Sequence, residues 1–189
     1  LVLVLRDQTQ EAAELVEKGK LEKGQQVFIQ AGSGGVGTLA IQLAKHLGAT
    51  VATTTSASNA ALVKSLGADI VVDYRTHDFE DVLRDYDVVL NSQDGKTLEK
   101  SLRVLARGGK LISISGPPDA EFGRETNAPA LVRLVMRLLS ARIRRQARRR
   151  EVGYSFLFMK ADGSQLREIT RLVDAGVIER QVAILSPEK

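Results

Sequence analysis

The stretch from Gln25 to Leu47 constrains the fold of this chain more than any other. Val27, Phe28 and Ile29 form a short apolar run, as a buried parallel strand requires. Ala31 to Gly37 comes next as a glycine-rich turn, and Leu39, Ile41, Leu43, Ala44 and Leu47 then recur at helical spacing. Gly32, Gly34 and Gly37 therefore make a G-x-G-x-x-G between a strand and a helix, the context that gives the motif meaning. One glycine permits the tight turn, one lets the backbone approach a pyrophosphate, and one lets helix and strand pack closely. The free N–H groups and the dipole of the helix's first turn then face an anion. The expectation is a dinucleotide site.

The rest of the chain repeats that opening unit. Strands are expected at Thr50–Thr55, Asp69–Val72, Tyr86–Asn91 and Lys110–Ser115. Helices are expected at Asn59–Leu66, Phe79–Arg84 and Thr97–Ala106, with Gly108-Gly109 turning the chain into the fifth strand. Such alternation predicts an α/β fold, a Rossmann-type doubly wound parallel sheet of about six strands with helices on both faces. Ligands of that fold sit at the C-terminal ends of the strands. Beyond Pro118 the alternation stops. Glu121–Ala128 reads as a loop, Pro129–Arg150 as one long helix, Val152–Met159 as a β-prone strand at the sheet edge, and Ser164–Ala175 as a final amphipathic helix. Gln8–Gly19 reads as a leading helix, and Val182–Leu185 is a candidate short strand.

The second strand bears on the cofactor. An Asp or Glu about 20 residues past the glycine motif grips the ribose 2′-hydroxyl of NAD. Here that strand ends in Thr53-Thr54-Thr55-Ser56, and the next acid is Asp69. Hydroxyls can donate to a 2′-phosphate that a carboxylate would repel, so the sequence leans to NADP(H). Ser56 leads among them, with helix N-capping as its alternative role.

At 189 residues the chain suits one domain, and a hydrophobic content of 43% supports an aliphatic core. It has no cysteine, which excludes disulfides and cysteine-ligated zinc. His46 and His77 are isolated, without a metal-ligating partner at useful spacing. The opening LVLVL is too short for a membrane span or signal peptide, so a cytoplasmic protein is expected. The net charge of +4 is uneven: Leu131–Arg150 holds eight arginines and no acid, leaving the remainder net acidic. That run could attract nucleic acid or anionic lipid. The blander expectation is a docked helix with a solvated basic end, its buried side formed by Leu131, Leu134, Val135, Leu138 and Leu139. No aromatic is interleaved with the arginines, so neither a nucleic-acid nor a membrane partner is expected.

Together, Ala31–Gly37, the Leu66-Gly67-Ala68-Asp69 turn, Asp73-Tyr74-Arg75 and Gly108-Gly109 resemble the cofactor domain of the medium-chain dehydrogenase/reductases, in their zinc-independent, NADPH-dependent quinone oxidoreductase branch. The similarity runs from about Leu21 to Ile178. It implies that Ser33, Gly34, Gly35 and Val36 contact the pyrophosphate, with Gly32 and Gly37 shaping the turn. Thr55, Ser56 and Tyr74 would surround the adenosine 2′-phosphate, and Arg75 is a candidate stand-in for a lysine the family often carries where this chain has Asn59. Gly95, Ser115, Gly116, Pro117 and Phe158 would lie along the nicotinamide half. The implied reaction is hydride transfer from NADPH to a small electrophile: a quinone, enone or aldehyde. The resemblance also implies a GroES-like catalytic domain, which is not found before Leu1; residues 179–189 depart from the family pattern, and residues 117–150 form a basic helical insertion. No catalytic residue is assigned. The Tyr-x-x-x-Lys of the short-chain dehydrogenases is missing, since Asp78, Leu90 and Phe158 stand four residues past the three tyrosines. The family pairs through its edge strand, so a homodimer through Val152–Met159 is expected. The alternatives are a non-catalytic dinucleotide-binding or dimerisation module and, less favoured, a nucleic-acid binder acting through the arginines.

Overall fold

The structure is a computed structural model that describes residues 18–157 and Gly176. The Gln8–Gly19 helix apart from its end, the Ser164–Ala175 helix, the Val182–Leu185 strand and Phe158 lie outside the described residues.

Six parallel strands form one sheet: β1 (Gln26–Ile29), β2 (Thr50–Thr55), β3 (Ile70–Asp73), β4 (Tyr86–Asn91), β5 (Leu105–Ser113) and β6 (Gly153–Phe156). Their order is β3-β2-β1-β4-β5-β6, the doubly wound arrangement. The chain reverses direction across the sheet between β1 and β4, which opens a crevice at the C-terminal end of β1.

Alternation along β1 explains the two cores. Val27 and Ile29 face one side, where α1 (Gly35–His46) and α2 (Ala60–Ser65) bring Leu39, Ile41, Leu43 and Val63. Phe28 faces the other and meets Phe79 of α3 (Phe79–Val82), with ring centroids 4.9 Å apart. Leu98 of α4 (Gly95–Ser101) and the adjoining Leu102 complete that second core with Leu111 and Val89. The central strands β1, β2 and β4 are buried on both faces, as a parallel sheet covered by helices requires.

Asp69 supplies the mechanical reason for the Leu66–Asp69 turn. Its carboxylate accepts from the Val51 amide at 2.7 Å and from Lys45 Nζ at 2.9 Å, while Lys45 Nζ also donates to the Ala49 carbonyl. One side chain thus ties the end of α1 to β2 and to the entry of β3. Burial alone would raise the Asp69 carboxyl, but the Val51 amide and Lys45 outweigh it and hold the group below the usual carboxylate range. Gly67 takes φ +106°, and the Lys45 stem lies where a side chain would go, 2.6 Å from the position of an added Cβ.

Several boundaries differ from expectation. The α4 helix stops at Ser101, and β5 begins at Leu105, where Leu105 already pairs with Tyr86. Gly108-Gly109 lies within β5 and not between two elements, in an irregular stretch where the register shifts between Tyr86 and Val88. The expected loop at Glu121–Ala128 contains a helix, α5 (Ala120–Glu125), capped by Asp119 Oδ1 accepting from the Phe122 amide at 2.9 Å. The expected single helix at Pro129–Arg150 is two, α6 (Ala130–Leu139) and α7 (Ala141–Arg149). They part at Ser140, whose buried hydroxyl donates to the Met136 carbonyl at 2.8 Å.

The largest difference concerns what α6 buries. The helix has no buried residue: its leucine stripe faces outward, with Leu131 72% and Leu138 66% exposed. The side turned to α5 carries Arg133 and Met136, which crowd Gly123. By contrast α7 docks on the sheet through Ile143 and Ala147.

A candidate dinucleotide-binding crevice

The glycine turn is built by β1, α1 and β2 together. Ala31 adopts φ +52° between Gln30 and Gly32. The Gly32 amide donates to the Thr54 carbonyl at 2.9 Å, and the Ala31 amide to Thr54 Oγ1 at 3.1 Å. Thr53 Oγ1 donates to the Ile29 carbonyl at 2.6 Å. Thr53 and Thr54 therefore brace the turn from beneath, and their hydroxyls are spent on it. Thr55 and Ser56 follow at the end of β2, both buried.

A Cβ at Gly37 would fall on the Ala31 carbonyl oxygen and lie 2.7 Å from the Gly32 Cα, so only glycine permits this approach of helix to turn. A Cβ at Gly32 would fall on Thr53 Oγ1. Gly34 is exposed at the N-cap of α1, which has no capping side chain and no acid in its first turn. That leaves the amide end of a twelve-residue helix open toward the crevice. Ser33, Gly35 and Val36 are half-buried around it. Thr55 Oγ1 donates to Ser33 Oγ at 2.9 Å, which joins the phosphate-side turn to the end of β2.

Ser56 is buried at the cap position of a short 3-10 turn (Ala57–Asn59) but makes no cap bond; its hydroxyl pairs with Ser58 at 2.9 Å. Tyr74 is 59% exposed next to it, its amide donating to the Thr55 carbonyl, and the Arg75 guanidinium lies 5.9 Å from its ring centroid. The structure thus gathers Ser33, Thr55, Ser56, Tyr74 and Arg75 at one end of the crevice.

At the other end lie the tips of β4 and β5. Gly95 is exposed at the start of α4, with open space where a side chain would stand. Ser115 Oγ donates to Asn91 Oδ1 at 3.1 Å and to the Gln93 carbonyl. The Gly116 amide donates to Ser113 Oγ at 2.9 Å, and the Pro117 carbonyl accepts from the Tyr154 hydroxyl at 2.7 Å. Burial and the neighbouring Asp119 push the Tyr154 hydroxyl's pKa upward, so it holds its proton and donates.

Sequence reasoning missed the floor that connects the two ends. Gln30, at the end of β1, is fully buried; its Nε2 donates to Ser101 Oγ at 2.5 Å, and its Oε1 accepts from Asn91 Nδ2 at 2.6 Å. Asn91 Oδ1 in turn accepts from Ser113 at 2.9 Å. This satisfied network crosses from β1 to β4 to β5 beneath the crevice. Its signal in the sequence is a polar residue, Gln30 or Asn91, at the end of each apolar strand facing the switch point.

Zinc does not fit this donor set. The chain has no cysteine, His46 and His77 are both exposed, and the described residues include no group of three His, Cys, Asp or Glu that could hold a metal.

A protein-family model described as a zinc-binding dehydrogenase matches residues 66–184. The chain is 38% identical over 138 residues to the 2-methylene-furan-3-one reductase of Solanum lycopersicum, covering 70% of this chain and 35% of that protein. It is also 38% identical over 128 residues to the chloroplastic NADPH-dependent alkenal/one oxidoreductase of Arabidopsis thaliana, covering 65% of this chain and 33% of that one. The quinone oxidoreductase from Coxiella burnetii superposes with a TM-score of 0.74 at 26% identity, over 91% of this chain and 48% of its own. The chain spans about a third of the length of these two relatives and about half of that structure.

Proposed function

Since the chain belongs to the zinc-binding dehydrogenase family, in its quinone oxidoreductase-like medium-chain branch, we propose that it is the NADP(H)-binding domain of an oxidoreductase that reduces a quinone, enone or aldehyde. The observation that carries this reading is the glycine turn, where an added Cβ at Gly37 would strike backbone, set beside a β2 end that offers hydroxyls and no carboxylate.

In this reading Gly32, Ser33, Gly34, Gly35, Val36 and Gly37 hold the pyrophosphate. Thr55, Ser56 and Tyr74 surround the 2′-phosphate, and Arg75, beside the Tyr74 ring, supplies its counter-charge. Gly95, Ser115, Gly116 and Pro117 line the nicotinamide half, with Phe158 joining them from beyond β6. The nicotinamide supplies the hydride when bound. The chain's own residues bind and orient, and the Gln30–Asn91–Ser113 floor keeps the strand ends fixed beneath the crevice. A conjugated acceptor needs no metal to polarise it. The relatives' names point to a small electrophilic substrate.

Calorimetric titration tests this reading. Tight NADPH binding with weak NADH binding is the expected outcome, and equal affinity for both removes the assignment of Thr55, Ser56 and Tyr74. Binding of neither removes the site.

The proposed homodimer uses a narrower edge than Val152–Met159. The Leu157 amide donates to Ser113 of β5, so by alternation the Phe156 amide points to the outer edge, where it meets Asp119 Oδ2 at 3.4 Å. The edge open to a second copy thus centres on Tyr154. A Tyr154→Pro chain, which loses the open outward amide, is expected to be monomeric by light scattering where the parent is dimeric; a dimer that persists moves the interface elsewhere. Among the described residues no helix is long and apolar enough to cross a membrane, and a cytoplasmic location is kept as part of the proposal.

A further inference from the structure

The α6–α7 segment is the part of the molecule that the cofactor fold does not explain. Leu131, Leu134, Val135, Leu138 and Leu139 form one stripe of α6, and every one of them is exposed. The stripe is not what docks the helix, because Arg133 and Met136 are the residues turned to Gly123 of α5. Patches of contiguous exposed leucine and valine on a folded domain mark something that covers them.

The residues C-terminal to the stripe indicate the nature of that cover. The hydrogen-bond ladder carries across the break: the Ser140 amide donates to the Met136 carbonyl, and the Arg144 amide to the Ser140 carbonyl. At helical spacing the positions after Leu138 on that face are Arg142, Arg145 and Arg149, all exposed. Those arginines line an open recess of about 340 Å³ with Ala141 and Gln146. Arg142 pairs with Glu99, but Arg144, Arg145, Arg148, Arg149 and Arg150 have no acidic partner among the described residues. Thr126 to Arg150 contains no Asp or Glu at all.

We propose that α6 and α7 form an amphipathic docking surface for an anionic phospholipid bilayer, the leucine stripe entering the interface and the arginines of α7 taking headgroup phosphates. A second copy of the same face fits poorly, since it would set arginines against arginines. Nucleic acid would engage α7 and leave five leucine and valine side chains in water. A further domain over the stripe would explain the leucines and not the uncompensated charge beside them. Docking of this kind lays helices in the plane of the surface and requires no spanning segment.

The test is vesicle flotation of the protein at its full natural length, without cofactor, so that it stands apart from the proposed activity. Binding is expected to vesicles of phosphatidylcholine with phosphatidylglycerol, to weaken with salt, and to be absent on phosphatidylcholine alone. Leu134→Ser with Leu138→Ser, and separately Arg145→Gln with Arg149→Gln, should each lower the partition about tenfold or more. Thermal unfolding unchanged from the parent shows that these surface changes leave the fold intact. No binding, equal binding to neutral vesicles, or undiminished binding of either variant overturns the proposal. So does retention on DNA that the arginine variant abolishes and the leucine variant preserves, or a dimer that dissociates in the leucine variant with no vesicle binding in the parent.

Discussion

The turn from Gln30 to Gly37 and the excursion from Pro117 to Arg150 are both helix-bearing departures from the same sheet, yet they are determined in opposite ways. In the turn each residue answers to several partners. Thr53 and Thr54 brace it, Gly37 admits the helix, and Ser33 is tied to Thr55. In the excursion α7 is anchored by Ile143 and Ala147, whereas α6 leaves its most apolar stripe without cover. Apolar periodicity alone therefore says that a helix has two faces; it does not say which face the protein keeps for itself.

That contrast can be broken experimentally, starting where the effect is largest. Gly37→Ala places a Cβ against two backbone atoms that cannot move aside, and should cost about 3 kcal/mol in denaturant unfolding. A loss below about 1 kcal/mol would mean that the turn yields, and the account of close approach fails. Asn91→Ala should cost about 2 kcal/mol, because Gln30 Oε1 loses a donor and Ser113 loses its acceptor in a buried place. An effect near zero would mean that water replaces the side chain and that the floor is not a closed network. Leu138→Ser, on the exposed stripe, should change stability by less than about 0.5 kcal/mol. A loss of the size expected of a core leucine would show that the stripe is covered within the domain itself.

The legible parts of the sequence are those where local and tertiary demands coincide. Strands β1, β2 and β4 can be placed within a residue because apolar runs end there in glycine or in polar residues. Alternation gives the parallel sheet from β1 to β5, and the β-prone residues after Val152 give its sixth strand. Leu98, Leu102 and Leu105 mislead because their spacing suits a helix, while Leu105 in fact begins β5 and pairs with Tyr86. Gly108-Gly109 reads as a turn since an irregular stretch inside a strand carries the same local signature; only the partner strand distinguishes them. The short α5 helix is hard to see, its main signal being Asp119 as a cap three residues before the Phe122 amide it accepts from. Within the crevice, Gly32–Gly37 form the strand-to-helix turn that their spacing announces, whereas Gln30 and Asn91 escape notice because single buried amides have no periodicity.

Asp119 does two jobs, capping α5 with one oxygen and meeting the outward amide of Phe156 with the other. The excursion is thereby fastened to the sheet near its start, and again at its end, where the Val152 amide donates to Ala147. A segment closed at both ends can grow at little thermodynamic cost, since doubling a loop adds only about 0.6 kcal/mol of closure entropy. Residues 117–150 are therefore where descendants of this fold could lengthen, shorten or recharge a peripheral surface while the turn, its threonine braces and the crevice floor stayed as they were.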